Sequence, residues 1–378
     1  MDKVGIGIIG CGNISDAYLK AAAGFPILDI RGLADIRPEV AAAAADRHGL
    51  RAQSVDGLLR DDSVEIVVNL TIPAAHVEVG MQALAAGKHV HSEKPLGLTV
   101  GEASRLIDLA LQRNLRVGCA PDTFLGGGHQ SCRALIDAGA MGDVIAGTAF
   151  FMCPGHERWH PNPAFYYQAG GGPMLDMGPY YITALVNLIG PVARVSGIAS
   201  RSRSRRTIGS EPLRGQSIDV MVDTHVAGTL EFASGAVVSI ATSFDVPKHS
   251  CKPIELHGTL ASLQVPDPNR FGGPVVMAGL GQEWAELPLT HAYHDGNFRS
   301  IGVADMAHAL RAGRAHRASG ELALHVLEVM EAIQASSDSG RHVAIASRPP
   351  RPDPLPAAPP PGLLDSNVLQ DLDERKDK

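Results

Sequence analysis

The stretch VGIGIIGCGNIS, residues 4–15, decides the fold, because an apolar run passes directly into a glycine-rich turn. Its glycines fit a G-x-G-x-x-G spacing in two frames. Gly5, Gly7 and Gly10 match literally, but Gly5 lies inside the apolar run. The second frame, residues 10–15, follows the run and has serine in place of the last glycine.

A dinucleotide-binding turn needs a strand before it and a helix after it, so that the helix amides face the pyrophosphate. This requirement favours the second frame. It predicts that the backbone around four residues contacts a dinucleotide: Gly10, Gly12, Asn13 and Ile14. Taken alone, the same residues also fit a tight turn with no ligand.

A carboxylate at the end of the second strand-like run supports the dinucleotide hypothesis. Asp35 follows the run 28–34, at about the separation expected for a group that accepts the adenine-ribose hydroxyls. It would repel a 2′-phosphate, so NAD is favoured over NADP, although Arg37 offers a partly offsetting cation. Asp35 alternatively caps the helix predicted from Pro38.

The first 120 residues alternate strand-like runs with helical segments. The strands are predicted at 4–9, 28–34, 66–70, 89–91 and 116–119. Helices are predicted between them at 38–47, 76–86 and 100–113. Thr99 and Glu102 form a capping box at the start of the last helix. This order predicts an α/β fold with a parallel, Rossmann-type sheet covered by helices, and we assign it to residues 1–121.

Beyond Pro121 the pattern changes to glycine turns and longer alternating runs. The runs 220–232 and 235–244 predict neighbouring antiparallel strands, and helices are expected at 305–311 and 321–335. We therefore expect a substrate-binding and oligomerisation domain over residues 122–347. Eight prolines between residues 348 and 362 predict that 348–378 is a tail, flexible or lying across another subunit.

Composition excludes several classes of function. The 33 basic and 40 acidic residues give a net charge of −7, which provides no basic surface for nucleic acid. No apolar run reaches membrane-spanning length, and the N-terminus lacks a signal-peptide cleavage site. Five scattered cysteines, an odd number without a C-x-x-C pair, fit a reduced cytoplasm. His291 and His294 have ligand-like spacing, but no cysteine or carboxylate cluster completes a site, so no metal is expected.

Three further segments carry a family pattern. Residues 71–76 read TIPAAH, residues 85–95 read AAGKHVHSEKP, and residues 170–180 read GGGPMLDMGPY. They resemble the T-x-P-x-x-H, A-G-K-H-V-x-x-E-K-P and G-G-G-x-x-x-D-x-G-x-H motifs of the glucose-fructose oxidoreductase and inositol dehydrogenase family, Gfo/Idh/MocA. The likeness covers roughly residues 3–345. It implies a Rossmann domain joined to a large, mostly antiparallel sheet that forms the substrate wall and often the interface of a homo-oligomer, here a dimer or tetramer.

The resemblance also implies roles for individual residues. It places near the cofactor the motif positions Thr71, Pro73, His76, Glu93 and Lys94. The lysine would lie beside the nicotinamide and the reacting hydroxyl, where its cation can hold the oxygen. Without the family, a lysine before a proline is usually a surface residue.

Asp176 matches the aspartate of the third motif, but Tyr180 stands where the motif has histidine. Their i, i+4 spacing puts both on one helix face. We expect Asp176 to position substrate and Tyr180 to exchange the proton, directly or through water. A phenol, with an ordinary pKa near ~10, is a poor base at neutral pH unless a cation such as Lys94 favours the phenolate. A capping aspartate and a packed tyrosine are the alternative.

The remaining candidates are polar and aromatic residues that suit recognition of hydroxyl groups. The loop 156–162 supplies His156, Trp159, His160 and Asn162, and the segment after the fifth strand supplies Asp122 and Thr123. The loop alternatively forms a solvated crossover.

These observations predict an NAD-dependent oxidoreductase acting on a secondary hydroxyl or ketone of a sugar, glycoside or cyclitol. Two alternatives stay open: an NAD-dependent glycoside-cleaving enzyme that uses transient oxidation, and a nicotinamide-binding regulator without turnover.

Overall fold

The computed structural model describes residues 2–357, 359 and 362–365. Its first sheet has five strands, all parallel, in the order β2-β1-β3-β4-β5. The strands are β1 (Val4–Ile9), β2 (Leu28–Ala34), β3 (Ile66–Asn69), β4 (His89–Ser92) and β5 (Val117–Cys119). Every residue of β1 is buried, as expected for a strand covered on both faces. The predicted Rossmann-type fold is confirmed.

Five helices belong to this part of the chain: α1 (Ser15–Ala22), α2 (Pro38–His48), α3 (Val55–Leu59), α4 (His76–Ala85) and α5 (Val100–Gln112). The α2 helix ends at Gly49, whose φ of 63° is the left-handed conformation that glycine adopts at helix ends. At the start of α5 the Thr99 hydroxyl accepts a hydrogen bond from the Glu102 amide at 3.2 Å, as the predicted cap requires. The sequence pattern did not predict α3.

The second sheet has nine strands in the order β15-β14-β13-β12-β6-β11-β10-β7-β16. All neighbours are antiparallel except β6 and β11. The strands are β6 (Val144–Met152), β7 (Val192–Ser200), β10 (His225–Phe232), β11 (Val237–Ser243), β12 (Ile254–Gly258), β13 (Ala261–Val265), β14 (Val275–Gly279), β15 (Ala285–Leu287) and β16 (Val343–Ala344). Two short strands, β8 (Arg205–Thr207) and β9 (Ser217–Asp219), pair separately. The mostly antiparallel second sheet is therefore confirmed, and its β10 begins five residues later than predicted.

The described part of the chain has four further α-helices: α6 (Gly127–Asp137), α7 (Pro173–Ile189), α8 (Ile301–Ala312) and α9 (Gly320–Ser339). The α9 helix packs on β7, where the backbone amide of Gly197 donates to the Ser336 hydroxyl at 3.0 Å. The α7 helix carries the third family motif and packs against α9 and the second sheet. Its first turn contacts the loop after β4, where Lys94 bonds Asp176.

The described part of the proline-rich segment packs against the rest of its own chain. The Leu355 amide donates to Gln130 Oε1 at 2.8 Å, and Arg317 Nε donates to the carbonyl of Asp353 at 2.9 Å. Leu364 is fully buried, and Asp365 forms an ion pair with Arg314. The prediction of a tail that is flexible or lies across another subunit is wrong for these residues.

The physical reason lies in the backbone of the segment. Prolines exclude helix and sheet, but their carbonyl groups stay available as acceptors for arginine side chains. Arg133 Nη1 thus reaches the carbonyl of Pro352 at 2.9 Å. Residues 358, 360, 361 and 366–378 of the predicted tail lie outside the described residues.

Candidate active site

The predicted cofactor residues follow the carboxyl ends of the parallel strands, which meet at one edge of the sheet. Gly10 comes directly after β1 and has φ of 99°, and an added Cβ would lie 2.6 Å from the carbonyl of Leu70. An added Cβ on Gly12 would meet nothing within 4 Å. Gly10 therefore allows the close approach of two strand ends, and Gly12 leaves backbone open to a ligand.

The residues after Gly12 continue this open edge. Asn13 is exposed and Ile14 is half-buried. Ser15, which replaces the last motif glycine, is buried and donates its hydroxyl hydrogen bond back to the Gly12 carbonyl at 2.7 Å. The serine is thus accommodated within the turn. A helix N-terminus preceded by exposed backbone fits a pyrophosphate group.

Asp35 joins the end of β2 to this turn. One carboxylate oxygen accepts from the Cys11 amide and the other from the Arg37 amide, each at 2.9 Å. Arg37 is itself the N-cap residue of α2, so the carboxylate bonds no amide inside the first helical turn. Each oxygen keeps a second lone pair for ribose hydroxyls. The geometry fits a dinucleotide at this edge.

The histidine of the T-x-P-x-x-H segment is buried and contacts two loops at the edge of the first sheet. His76 is 1% exposed, and its ring nitrogens lie 2.7 Å from the Pro95 carbonyl and 3.1 Å from the Thr71 carbonyl. Burial lowers the pKa of His76. The predicted contact of His76 with the cofactor is therefore wrong as a direct contact, because the ring is enclosed and links two loops. Pro73 is half-buried at the edge.

Glu93 is also enclosed. Its carboxylate accepts from the Tyr18 hydroxyl at 2.8 Å and from the Lys94 amide at 3.0 Å. Burial raises the pKa of Glu93, but Arg299 and Lys94 hold it below its ordinary value. Glu93 thus anchors the loop that presents Lys94, and its contact with the cofactor stays a prediction.

Lys94 and Asp176 form an ion pair between the first-sheet loops and α7. The Lys94 Nζ lies 2.8 Å from Asp176 Oδ1 and 2.6 Å from the Asp176 carbonyl oxygen. Each side chain is 16% exposed. Burial lowers the pKa of Lys94, but the Asp176 carboxylate more than offsets this and raises it above its ordinary value. Burial likewise raises the pKa of Asp176, yet Lys94 and His156 bring it to about 2. Both groups are charged across the neutral range.

His156 bonds the second oxygen of Asp176. Its Nε2 lies 3.0 Å from Asp176 Oδ2, and its Nδ1 lies 3.2 Å from the indole nitrogen of Trp159. An indole N–H only donates, so Nδ1 accepts and Nε2 carries the hydrogen donated to Asp176. The sequence placed His156 in the substrate loop. The structure makes it an orienting partner of Asp176.

Tyr180 lies one turn after Asp176 and beside two cations. Its hydroxyl oxygen accepts from Arg299 Nη2 at 3.0 Å, and the Lys94 Nζ lies 5.2 Å from its ring centre. The residue is 5% exposed. Lys94 from the second motif is therefore brought together with Asp176 and Tyr180 from the third.

An aromatic wall, formed by His156, Trp159, His160, Phe165 and Tyr166, stands beside these groups. Consecutive ring centres in it lie between 4.0 and 5.4 Å apart. Trp159 is 61% exposed and Phe165 48% exposed. Burial lowers the pKa of His160.

The wall's outer end is polar and open. Asn162 is exposed next to it, with its amide donating to His160 Nδ1 at 3.1 Å. The loop thus presents aromatic faces and polar groups together, as a sugar site does.

Asp122 and Thr123 lie outside this surface. Asp122 is fully buried and accepts from the backbone amides of Ser300 and Gly302, and Thr123 is 1% exposed. Burial raises the pKa of Asp122 to about 6. The predicted substrate contact of both residues is wrong, because both side chains are buried and the Asp122 carboxylate bonds the backbone at the start of α8.

Sequence reasoning missed three contributors to the site. Arg299 and Tyr18 are distant in sequence from the motif residues that they contact, and neither belongs to one of the three motifs. Tyr166 had a local signal, because the aromatic run 165–167 directly follows the polar loop. Among the described residues no group of three metal-ligating side chains occurs, and no helix is long and apolar enough to cross a membrane.

Comparisons with known proteins agree with this architecture. Residues 4–120 match the family model described as "Oxidoreductase family, NAD-binding Rossmann fold", and residues 129–264 match the GFO/IDH/MocA C-terminal domain. A levoglucosan dehydrogenase of Pseudarthrobacter phenanthrenivorans is 27% identical over 70% of this chain and 73% of its own length. A dTDP-3,4-didehydro-2,6-dideoxy-alpha-D-glucose 3-reductase of Streptomyces violaceoruber is 34% identical over 54% of this chain. The match spans 59% of that reductase, less than two thirds of its length.

Solved structures share the fold. Levoglucosan dehydrogenase in complex with NADH and L-sorbose superposes with a TM-score of 0.80 at 22% identity, covering 92% of this chain and all of that one. An aldose-aldose oxidoreductase from Caulobacter crescentus gives 0.77 at 23% identity, covering 91% of this chain and all of that one.

Proposed function

The chain belongs to the Gfo/Idh/MocA family of NAD-binding oxidoreductases, and from this we propose that it oxidises a secondary hydroxyl of a sugar, glycoside or cyclitol, or reduces the corresponding ketone. One observation carries the proposal. The Lys94 ammonium, the Asp176 carboxylate and the Tyr180 hydroxyl meet beside the dinucleotide edge of the first sheet.

The residues at this edge fit NAD. The open backbone at Gly12 and the Asp35 carboxylate would hold the pyrophosphate and the adenine ribose. We extend this assignment to the flanking positions Asn13, Ile14, Arg37, Thr71 and Pro73. NAD, when bound, supplies the hydride acceptor, and its reduced form supplies the donor.

Lys94 polarises the reacting oxygen. An ammonium group has three N–H donors, and the Asp176 carbonyl and carboxylate accept two of them. The third donor stays available to a substrate oxygen. Asp176 fixes the direction of that donor, and His156 fixes Asp176.

Tyr180 exchanges the proton. During oxidation the phenolate oxygen takes the hydroxyl proton of the substrate, and during reduction the phenol returns it. The neighbouring Lys94 cation stabilises the phenolate that this exchange requires.

The aromatic wall binds the sugar ring. Exposed Trp159 and Phe165 offer flat faces for the C–H side of a sugar, and His160 and Asn162 offer polar groups for its hydroxyls. The relatives named above act on sugar-related compounds, which supports this substrate class.

A substrate panel tests the proposal. The purified protein is incubated with NAD or NADP and with levoglucosan, D-xylose, 1,5-anhydro-D-glucitol, a disaccharide and myo-inositol, while reduced cofactor is monitored. We expect NAD reduction with at least one sugar, and a rate at least about 100-fold lower with the Lys94→Ala variant. Sugar release without net cofactor reduction would instead support a glycoside-cleaving enzyme, and cofactor binding without either reaction on this panel would favour the regulator.

A further inference from the structure

We propose that Arg299 is a positioning residue for proton transfer, which holds the Tyr180 hydroxyl and stabilises its phenolate. The proposal rests on the proposed function of Tyr180. Arg299 lies two residues before α8, is 9% exposed, and donates from Nη2 to the Tyr180 oxygen at 3.0 Å. None of the three family motifs described above includes it.

The direction of this hydrogen bond leaves Tyr180 ready to act on substrate. A guanidinium group only donates, so the Tyr180 oxygen must be the acceptor. The phenol hydrogen therefore points elsewhere, and among residues 2–357, 359 and 362–365 no side chain or carbonyl accepts it. A substrate oxygen in the cleft can accept it, or give a proton to the same oxygen once it is ionised.

The charges around Tyr180 come from three elements. Two cations face its ring, Lys94 at 5.2 Å and the Arg299 guanidinium carbon at 5.8 Å. Asp176 on the same helix pairs with Lys94, and Glu93 lies 3.6 Å from Arg299 Nη1. The phenol of Tyr166 also faces the cluster. Each cation thus has its own carboxylate, and the phenolate would share both cations.

Arg299 stays charged in this setting. Burial lowers its pKa, but the Tyr180 oxygen and the Glu93 carboxylate more than offset burial and raise it above the ordinary arginine value. Arg299 therefore neither gives nor takes a proton. When the substrate O–H bond breaks and the Tyr180 O–H bond forms, the hydrogen-bond partner of Arg299 changes from an anionic phenolate to a neutral phenol.

Asp122 fixes the turn that carries Arg299. One oxygen of its carboxylate accepts from the Ser300 amide at 3.2 Å and from the Gly302 amide at 3.1 Å. Ser300 has φ of 94°, and an added Cβ on Gly302 would lie 3.0 Å from Asp122 and 2.8 Å from His91. The buried side chains of Asp122 and His91 therefore restrict the backbone next to Arg299.

A tyrosinate titration tests the proposal without substrate or cofactor. The ultraviolet absorbance of tyrosinate is followed against pH in the unmutated protein, Y180F, R299M and the double variant, so that the step lost in Y180F is assigned to Tyr180. We expect this step to move up by about one to two pH units in R299M, the loss of one hydrogen bond to a charged group. R299K should move it less, and added guanidinium ion should partly reverse the shift in R299M.

The matched control is Arg133→Met. Arg133 is 6% exposed and bonds Asn187 and Asp137 on the far parts of α7 and α6, so its loss disturbs a buried arginine network away from Tyr180. A Tyr180 step that is unmoved in R299M and R299K, or moved as far in R133M, would overturn the proposal.

Turnover separates this proposal from the proposed function. With the best sugar of the panel, R299M should lower turnover about 10- to 100-fold when Tyr180 is present, but less than about threefold in Y180F. Equal losses in both backgrounds would overturn the coupling of Arg299 to Tyr180 alone. Normal turnover of Y180F would refute the role of Tyr180, and this proposal with it.

Discussion

Replacing Leu355 by alanine tests whether the proline-rich segment belongs to the fold. The side chain is 5% exposed, and the residue's amide and carbonyl are both bonded to the body of the chain. Truncating a buried leucine to alanine removes its transfer free energy and leaves a cavity, which costs about 2–5 kcal/mol. A typical domain is stable by only about 5–15 kcal/mol, so the change should be large.

Unfolding in urea, followed by circular dichroism, measures this loss. Pro354→Ala is the control, because Pro354 is exposed and its carbonyl, which accepts from Arg317, survives the change. We expect a control effect below about 1 kcal/mol. A chain ending at Ser347 should lose more stability than the Leu355 variant. If the Leu355 variant unfolds at the same urea concentration as the unmutated chain, the packing of this segment has been misjudged.

Three further predictions concern the site. Lys94→Ala should lower turnover about 100- to 10,000-fold while calorimetry shows an NAD affinity within about threefold of normal, and a collapse of NAD binding would argue against its role in chemistry. Asp35→Ala should narrow the preference for NAD over NADP, and tighter binding of NADP by the unmutated protein would refute the assignment. Asp122→Asn should alter the free energy of unfolding more favourably at pH 8 than at low pH, by about 3 kcal/mol, because burial raises the pKa of Asp122 to about 6 and the ionised form is disfavoured in the folded state above that pH. This pH-dependent advantage should be lost as the pH falls from about 6 to about 3, where Asp122 is protonated in both states, so an equal effect on urea unfolding at pH 8 and at about pH 3 would contradict this origin.

The first sheet and its edge were predictable because their signals are local. Neighbouring residues predict a strand followed by a glycine with positive φ, as at Gly10. The family motifs likewise identified Lys94, Asp176 and Tyr180, and the structure brings these together across 82 sequence positions between the first two. Sequence order alone could not give that distance.

The site residues that the sequence missed or misplaced are those whose positions depend on contacts between residues distant in sequence. Arg299 contacts Tyr180 across 119 positions, and nothing around either residue signals the pairing. Asp122 follows a strand, as the edge residues do, but it points to α8 rather than to the cleft. His76 and Glu93 match motifs, yet both are buried and bond other groups of the protein, the Pro95 carbonyl and the Tyr18 hydroxyl.

Two expectations stay predictions. Domain limits at residues 121 and 347 can be tested by limited proteolysis. Assembly into a dimer or tetramer can be tested by light scattering.

The most direct test of the account compares turnover against pH for the unmutated protein, Tyr180→Phe and Tyr180→His. The phenylalanine keeps the ring and removes only the hydroxyl, whereas histidine restores the residue of the family motif. We expect a loss of turnover of about 100-fold or more in Tyr180→Phe and a smaller loss in Tyr180→His, whose pH profile should follow an imidazole. Near-normal turnover and an unchanged pH profile in Tyr180→Phe would contradict the claim that Tyr180 exchanges the proton.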